Sequence, residues 1–177
     1  MASNILKIGC YLLLKIFFLS VLIENEAISN TSSEEIEKQF NRKIKIPNVK
    51  VVDGDSIRID KKKYRLFGID APEMDQLCKI NRKSYKCGVS ARNFLKSLIR
   101  EDILNCSNED TDRYGRILTI CKIGELDINS TMVKNGWAVA YKRYSDRYIK
   151  EEFYAKKNKL GLWQGEFIQP EKWRRRK

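Results

Sequence analysis

The spacing of hydrophobic residues changes several times along the chain and divides it into segments. An apolar run from Ile8 to Ile23, interrupted by Lys15, lies close to the amino terminus. A basic start, an apolar stretch of this length and small residues after it are typical of a secretory signal. An uncleaved anchor is the alternative, although the run is shorter than a comfortable membrane span and contains a charge. We therefore expect a signal segment over residues 1–29 and a polar linker over residues 30–47.

Short stretches of alternating apolar and polar residues follow the linker and predict β-strands. Residues 49–52, 56–59 and 64–69 are three such stretches, separated by tight polar connections. Three short strands joined in this way are typical of an antiparallel meander. A further hairpin is predicted between residues 103–106 and 116–123, on either side of a polar loop.

A helical period of apolar residues appears in three later places. Residues 88–99 form one such stripe, residues 129–134 predict a short helix, and a last long helix carries Ile149 and Phe153 and ends at Gly161. We expect these apolar side chains to pack in the core. Five strands interleaved with about three helices fit a β-rich α+β domain, a five-stranded Greek-key barrel of the oligonucleotide-binding (OB) type.

The predicted domain covers residues 48–168, followed by a basic tail over residues 169–177, of which we expect Trp173–Lys177 to be mobile. The whole chain has 35 Lys and Arg against 23 Asp and Glu, a formal net charge of +12 at pH 7. Such a charge favours polyanionic partners: nucleic acid, anionic membranes or acidic glycans. A merely soluble basic surface is the alternative, and charge alone does not choose among these partners.

The chain contains no histidine. This excludes Ser-His and Cys-His nucleophilic sites, histidine general bases and histidine-ligated zinc. Any chemistry must therefore use carboxylates, Arg, Lys, Tyr or a hard metal ion. Among the compositional features, this absence restricts the possible functions most.

Cys10 lies in the predicted signal segment, so four cysteines remain in the mature domain: Cys78, Cys87, Cys106 and Cys121. An even number in an exported domain predicts two disulfides, among three possible connectivities. We expect Cys78–Cys87 to close a short polar loop and Cys106–Cys121 to join two strands. Four buried free thiols are the alternative. Zinc binding is poorly supported because no C-x-x-C pair exists.

Two acidic motifs lie at strand ends. Asp53-Gly54-Asp55 lies between the first two predicted strands, and Asp70-Ala71-Pro72-Glu73 lies where the third one ends. In a meander, the end of the third strand can return beside the start of the first, which would bring Asp55, Asp70 and Glu73 together. Three neighbouring carboxylates need a cation, and their oxygens are ligands that Ca²⁺ accepts. Each motif taken singly also fits an ordinary turn or helix start.

Two arginines could complement these carboxylates. Arg65 precedes Asp70 by five residues, an odd separation that places the two on opposite faces of a regular strand. They can share a cluster only if the chain bends near Gly68, which a glycine permits. Arg116 ends the segment Asp112–Arg116 at the mouth of the predicted hairpin, where a solvated loop is the alternative interpretation.

Three segments closely resemble signature segments of the staphylococcal nuclease (thermonuclease) family, in the same order and spacing. They are Val52–Asp55 (VDGD), Arg65–Glu73 (RLFGIDAPE) and Asp112–Arg116 (DRYGR). Further similarity runs through Asn129–Ala138 and Ala155–Trp163, so the resemblance covers essentially the whole mature domain. It implies an OB-type barrel and Ca²⁺-dependent cleavage of DNA and RNA.

The resemblance also implies a metal site and a general base. Carried over, Asp55 and Asp70 are metal ligands and the carbonyl of Ala71 is a third. Glu73 matches the carboxylate assigned as general base. The best-known members have threonine at the position of Ala71, a change that should matter little because the implied ligand is the main chain.

The remaining implied roles concern the substrate. Arg65 and Arg116 match phosphate-binding arginines, and Arg113 and Tyr114 match positions near the terminal phosphate. Residues 76–87 depart from the family, since this cysteine-containing segment is a lysine-rich loop in the best-known members. The substrate preference is therefore open.

The sequence thus predicts a Ca²⁺-dependent phosphodiesterase acting on DNA, RNA or both, secreted or periplasmic and monomeric. No protein partner is implied, and a membrane is involved only if the amino-terminal segment is retained as an anchor, with the domain outside the cytoplasm. The alternative is a non-catalytic nucleic-acid-binding OB module. A third class, a cationic exported protein acting on membranes or glycans, would need an amphipathic basic helix.

Overall fold

The computed structural model of the protein describes residues 48–99 and 104–176. The predicted signal segment, with Cys10, and the predicted linker over residues 30–47 lie outside the described residues. Within the described residues, no helix has the length and apolar character needed to cross a membrane.

The described residues form short strands joined by turns, with four α-helices among them. The strands are β1 Val49–Val51, β2 Ser56–Ile59, β3 Lys62–Leu66, β4 Ile69–Asp70, β5 Leu77–Ile80, β6 Lys83–Lys86, β7 Leu104–Cys106, β8 Asp110–Thr111, β9 Ile117–Thr119, β10 Cys121–Ile123, β11 Leu126–Asp127 and β12 Val139–Ala140. The helices are α1 Cys87–Leu98, α2 Ile128–Lys134, α3 Ile149–Lys157 and α4 Pro170–Arg174, with a 3₁₀ turn at Gly161–Gln164.

The predicted meander is present as β1, β2 and β3, which pair antiparallel in that order. The predicted hairpin is present in part, because β7 pairs antiparallel with β10. The intervening β9 instead runs parallel to β3, with Tyr64 beside Ile117 and Arg65 beside Leu118. This parallel pairing places the start of β9, and so the segment Asp112–Arg116, next to the strand that carries Arg65.

The predicted α+β class agrees with the mixed sheets and helices of the structure. The described strands form four separate sheets, with orders β1-β2-β3-β9-β8, β11-β10-β7, β12-β4 and β5-β6. The predicted closure into one Greek-key barrel is not seen among them. With strands of two to five residues separated by bends, the ladders are interrupted before a single sheet can close.

The core lies between the meander and the first two helices. Ile57 and Leu66 of the large sheet and Leu95 of α1 are fully buried there. Burial of one such side chain stabilises the fold by about 1.5–3 kcal/mol. The predicted stripe of α1 is therefore confirmed as a core face, with Phe94 partly buried beside it.

The predicted core face of α3 is wrong. Ile149 and Phe153 have 40% and 66% of their surface exposed, whereas Glu152 is buried. The Glu152 carboxylate accepts hydrogen bonds from Lys142 at 2.7 Å and from Lys156 at 2.9 Å. Because these two ammonium groups compensate the charge, the helix can turn an acidic residue inward and leave aromatic surface in water.

The chain beyond α3 also differs from expectation. The helix ends at Lys157 rather than at Gly161, which has φ +53° and begins the 3₁₀ turn against Gly136. The predicted basic tail over residues 169–177 contains α4, which begins at Pro170. Proline is favoured in the first turn of a helix because its missing N–H has no partner there.

Both predicted disulfides are present. Cys78–Cys87 joins β5 to the first residue of α1, and Cys106–Cys121 joins directly opposite residues of β7 and β10. The first bridge holds the β5–β6 hairpin to the helix that packs under the acidic loops. Cross-links of this kind are typical of proteins that fold outside the cytosol.

Candidate active site

A pocket of about 910 Å³ opens between the large sheet, the loop after β4 and helix α4. Its walls include six of the eight positions that the sequence singled out. They are Asp55, Arg65, Glu73, Arg113, Tyr114 and Arg116. The other two, Asp70 and Ala71, are buried and lie outside its lining residues.

Arg65 joins the two aspartates of the predicted cluster. Its Nη1 forms an ion pair with Oδ1 of Asp55, and its Nη2 donates to Oδ1 of Asp70 at 2.9 Å. The contact with Asp70 requires the chain to bend, and Gly68 has the left-handed φ of +75° that permits it. The expected bend between Arg65 and Asp70 is therefore present.

Asp55 is held in place by its own surroundings. Its Oδ2 accepts a hydrogen bond from the backbone N–H of Ala71 at 2.7 Å, and its Oδ1 accepts one from the hydroxyl of Ser56 at 3.1 Å. A Cβ at Gly54 would lie 2.7 Å from Cβ of Ala71 and 2.8 Å from Cβ of Ala91. Only glycine therefore lets the acidic loop pack this closely against the helix and the loop after β4.

Negative charge accumulates around Asp55, a residue of the pocket wall. Burial raises the pKa of Asp70 to about 6, and the charge of Asp55 adds to this while Arg65 and Arg174 oppose it. Burial likewise raises the pKa of Asp53 to about 7, again with a contribution from Asp55. Sequence analysis placed Asp53 in an acidic motif but not among the converging carboxylates, yet its charge belongs to this cluster.

These raised pKa values predict the pH dependence of stability without divalent cations. A raised carboxyl pKa contributes stability below the unfolded pKa that is lost as pH rises through the folded value. The melting temperature should therefore fall between pH 5 and pH 8. Asp53→Asn keeps the oxygen that accepts from the Asp55 N–H at 3.0 Å and removes the charge. We expect it to raise the melting temperature at pH 8 by roughly 2–5 °C.

Thermal melts in EDTA at both pH values test this expectation, with the exposed Asp60→Asn as the control. Asp60→Asn should leave the difference between pH 5 and pH 8 as it is in the wild type. A lower melting temperature for Asp53→Asn at pH 8 would show that the Asp53 carboxylate stabilises the cluster.

Glu73 faces the pocket next to an arginine that sequence analysis missed. Arg174 of α4 donates from Nη1 to Oε1 of Glu73 at 2.9 Å and from Nη2 to both oxygens of Asp70 at 2.9 and 3.0 Å. The available signal was Pro170, which favours a helix start in a segment that was interpreted as a tail. The Glu73 backbone is fixed by α1, because a Cβ at Gly88 would lie 1.8 Å from its carbonyl oxygen.

Arg116 lies on the same pocket but apart from the carboxylate cluster. Its Nη2 forms an ion pair with Oδ2 of Asp112 at 2.7 Å, and Nε donates to the same oxygen at 2.8 Å. Arg113 and Arg116 both lie over the ring of Tyr114, at 4.8 and 5.6 Å from its centroid. Arg113, Tyr114 and Arg116 thus form one group of side chains at the pocket, here called the rim. The ion pair of Asp112 with Arg116 holds it in place.

Two further aromatic residues line the pocket and were not singled out from the sequence. Tyr141 and Tyr144 pack edge to face with their centroids 4.8 Å apart. Tyr144 is largely exposed. Their spacing alone could not distinguish pocket residues from core residues, because the chain leaves the regular β12 just before them.

The expected convergence of three carboxylates on a metal ion takes another form. In residues 48–99 and 104–176, no group of three or more acidic or cysteine side chains is arranged to hold a metal. Guanidinium groups link the acids instead: Arg65 joins Asp55 to Asp70, and Arg174 joins Asp70 to Glu73. The donor chemistry still suits a hard cation, because the buried acids offer carboxylate oxygens and carry charge that burial disfavours.

The family model of staphylococcal nuclease homologues matches residues 63–165. The chain belongs to this family. The match contains Arg65, Asp70, Glu73 and Arg116, while Asp55 and Arg174 lie outside it. The matched region therefore includes the loop after β4 and the rim. Asp55 and Arg174 come from the segments on either side of it.

Curated relatives agree with the family assignment. A protein of Haemophilus influenzae named as an uncharacterized endonuclease is 34% identical over 72% of this chain and 71% of its own length. The succinoglycan biosynthesis protein ExoI of Rhizobium meliloti is 32% identical over 68% of this chain and 65% of its own. A micrococcal nuclease of Shigella flexneri is 32% identical over 72% of this chain and 78% of its own.

Proposed function

We propose that this protein is an exported, calcium-dependent nuclease that hydrolyses phosphodiester bonds in DNA, RNA or both. The observation that carries the proposal is that Glu73, Arg65 and Arg116 line one pocket. Membership of the staphylococcal nuclease family and relatives that carry nuclease names support it.

The two arginines suit a phosphodiester substrate. Attack at phosphorus adds charge to the phosphate oxygens, and a guanidinium offers two parallel donors that match them. Arg116 is half-buried at the rim, and Arg65 is nearly buried beside the acids. Preorganised charge of this kind stabilises the transition state more than the substrate, and it is usually the largest catalytic contribution.

Glu73 suits the role of general base. It faces the pocket, its carboxylate is about one-third exposed, and water can therefore reach it. A carboxylate in this position can accept a proton from the attacking water, a step that contributes roughly 10²–10⁴-fold to a rate. No histidine is required, in agreement with the composition of the chain.

Asp55, Asp70 and the carbonyl of Ala71 would hold the calcium ion, which would share the Asp70 oxygens with the Arg65 and Arg174 guanidinium groups that bind them here. A bound Ca²⁺ supplies Lewis-acid stabilisation of the phosphate and a template for water. The cation would also relieve the charge that burial disfavours on Asp70. Ser56 and the N–H of Ala71 already orient Asp55, so its carboxylate is fixed before a metal arrives.

The remaining residues of the pocket suit the rest of a nucleic acid. Tyr114, Tyr141 and Tyr144 provide ring faces on which bases could stack, and Arg113 adds positive charge at the rim. The two disulfides favour an oxidising compartment and so an exported protein, in agreement with the predicted signal segment.

The deciding experiment incubates the purified mature protein with plasmid DNA and with RNA, in Ca²⁺ and in EGTA. We expect cleavage in Ca²⁺ and a loss of at least tenfold in EGTA. Retarded migration of intact nucleic acid, without cleavage in any divalent cation, would instead identify a binding module. Full activity in EGTA would remove the metal from the proposal.

Arg116→Ala should lower kcat by about 10²-fold, since one preorganised donor to the transition-state charge is lost. Steady-state cleavage of a fluorogenic oligonucleotide measures this effect. Arg58→Ala, which removes the same charge from an exposed position of β2, should change kcat by less than twofold. Equal rates for the two variants would remove Arg116 from the catalytic group.

A further inference from the structure

The carboxy-terminal segment is attached to the loop that carries Glu73. Gln76 is fully buried, and its Nε2 donates to the carbonyl oxygen of Ile168 at 2.6 Å. Its backbone N–H donates to the carbonyl of Glu73 at 2.8 Å, while its Oε1 accepts from the Glu73 N–H at 3.4 Å. One buried amide therefore connects the backbone of the acidic loop to the segment that leads into α4.

A second attachment of the carboxy-terminal segment lies just before Ile168 in the chain. Lys79 of β5 and Glu166 exchange two backbone hydrogen bonds, both of 2.9 Å. A Cβ at Gly165 would lie 1.9 Å from the carbonyl oxygen of Lys79, so the two backbones touch without room for a side chain. Since β5 is also bound to α1 by the Cys78–Cys87 bridge, the start of α4 is held at a defined place beside the pocket.

From this place, Arg174 extends into the pocket and contacts two acids at once. The guanidinium bridges both oxygens of Asp70 and one oxygen of Glu73, all within 3.0 Å. On the outer side of α4, Glu171 pairs with Arg143 at 3.1 Å and with Arg175 at 2.6 Å. The helix thus presents one arginine to the site and keeps its other charges in surface pairs.

Glu73 depends on this contact for its orientation. Across residues 48–99 and 104–176, Arg174 is the residue whose side chain binds the Glu73 carboxylate by a hydrogen bond or ion pair. A glutamate side chain has three torsions, and one that is about one-third exposed would otherwise sample several of them. The forked guanidinium of Arg174 is also bound to Asp70. It therefore fixes both the distance of the Glu73 carboxylate from Asp70 and the direction in which that carboxylate points.

We propose that Arg174 is a positioning residue of the active site, which holds the carboxylate of Glu73 at a fixed place relative to Asp70. The proposal rests on the proposed function, in which Glu73 is the base. Arg174 binds Glu73 itself, whereas Arg65 pairs with the two aspartates, so Arg174 is assigned to the base rather than to the phosphate. Helix α4 is then part of the catalytic unit, although it lies outside the family match.

The test compares Arg174→Ala and Arg174→Lys with Arg175→Ala, which removes the same charge one residue further along the chain. For Arg174→Ala we expect kcat to fall about 10–100-fold, the effect of a misplaced reacting group. Its KM should stay within about threefold of the wild type. Arg174→Lys should lose at least about fivefold in kcat, because one ammonium cannot reproduce the paired donors. Arg175→Ala should keep kcat within about twofold.

A double-mutant cycle adds a readout that a purely structural role would not affect. In a Glu73→Gln background, Arg174→Ala should lower kcat by less than about twofold, because the group it positions has already lost its function. Circular-dichroism melts set an assay temperature at which every variant is folded. If Arg174→Ala does not fold, the proposal is tested on the kcat of Arg174→Lys, alone and combined with Glu73→Gln.

Several outcomes would overturn the assignment. An Arg174→Ala or Arg174→Lys variant with the kcat of the wild type would mean that Glu73 needs no such support. A variant with a higher kcat would mean that Arg174 blocks the site. A raised KM with unchanged kcat would make Arg174 a substrate ligand. If Arg174→Ala lowered kcat in the Glu73→Gln background as much as in the wild type, its effect would be independent of Glu73. A wild-type protein without hydrolysis would overturn the proposed function itself.

Discussion

Glu73→Gln is expected to lower kcat by about three orders of magnitude, within the range assigned to a general base. The amide has nearly the shape of the carboxylate but cannot accept the proton of an attacking water. Its Oε1 can still accept the hydrogen bond that Arg174 donates at 2.9 Å, so the loop should keep its conformation. The effect is therefore expected in kcat and not in folding.

Steady-state kinetics with a fluorogenic oligonucleotide, together with a thermal melt of each variant, measure the two parts of this prediction. Glu125→Gln is the matched control, since Glu125 is exposed in the turn between β10 and β11. It should change neither kcat nor the melting temperature. A Glu73→Gln variant within tenfold of the wild-type kcat would mean that another group activates the water.

Arg65→Ala is expected to lower the free energy of unfolding by about 3–5 kcal/mol, the usual cost of removing one partner from a buried ion pair. Arg65 is nearly buried and contacts Asp55 and Asp70, which are buried as well. Without the guanidinium, two neighbouring carboxylates have lost their shared counter-charge. The substitution should also abolish cleavage, because the proposed phosphate ligand is gone.

Arg65→Lys separates these two effects. It keeps the positive charge and should recover part of the stability, but an ammonium cannot serve two acids and a phosphate as a planar fork does. Urea unfolding without divalent cations measures the stability, and the exposed Arg58→Ala of the neighbouring β2 serves as the control. If Arg65→Ala were as stable as Arg58→Ala, the carboxylates would not depend on this ion pair.

Much of the site was predictable because its parts are local. The bend at Gly68 follows from the odd spacing between Arg65 and Asp70, because a shared cluster needs the chain to bend there and a glycine permits it. Both disulfides follow from cysteines at the ends of short connections. The absence of histidine left carboxylates and arginines as the reactive groups, and the pocket contains them.

Other features could not be predicted, because they depend on distant contacts. Arg174 meets Glu73 across 101 positions of sequence, and no local pattern encodes that pairing. The inward turn of Glu152 needs Lys142 from a separate segment, so hydrophobic spacing alone chose the wrong face of α3. The parallel pairing of β3 with β9 likewise joins strands that are far apart in the chain.

The amino-acid sequence by itself determined which side chains are available for chemistry, where the chain can bend and which cysteines can reach each other. These properties depend on residue type and short spacing. The tertiary structure alone decided which guanidinium meets which carboxylate and which helix closes the pocket. Ion pairing and burial act between groups that are close in space, and only the packed chain defines that closeness.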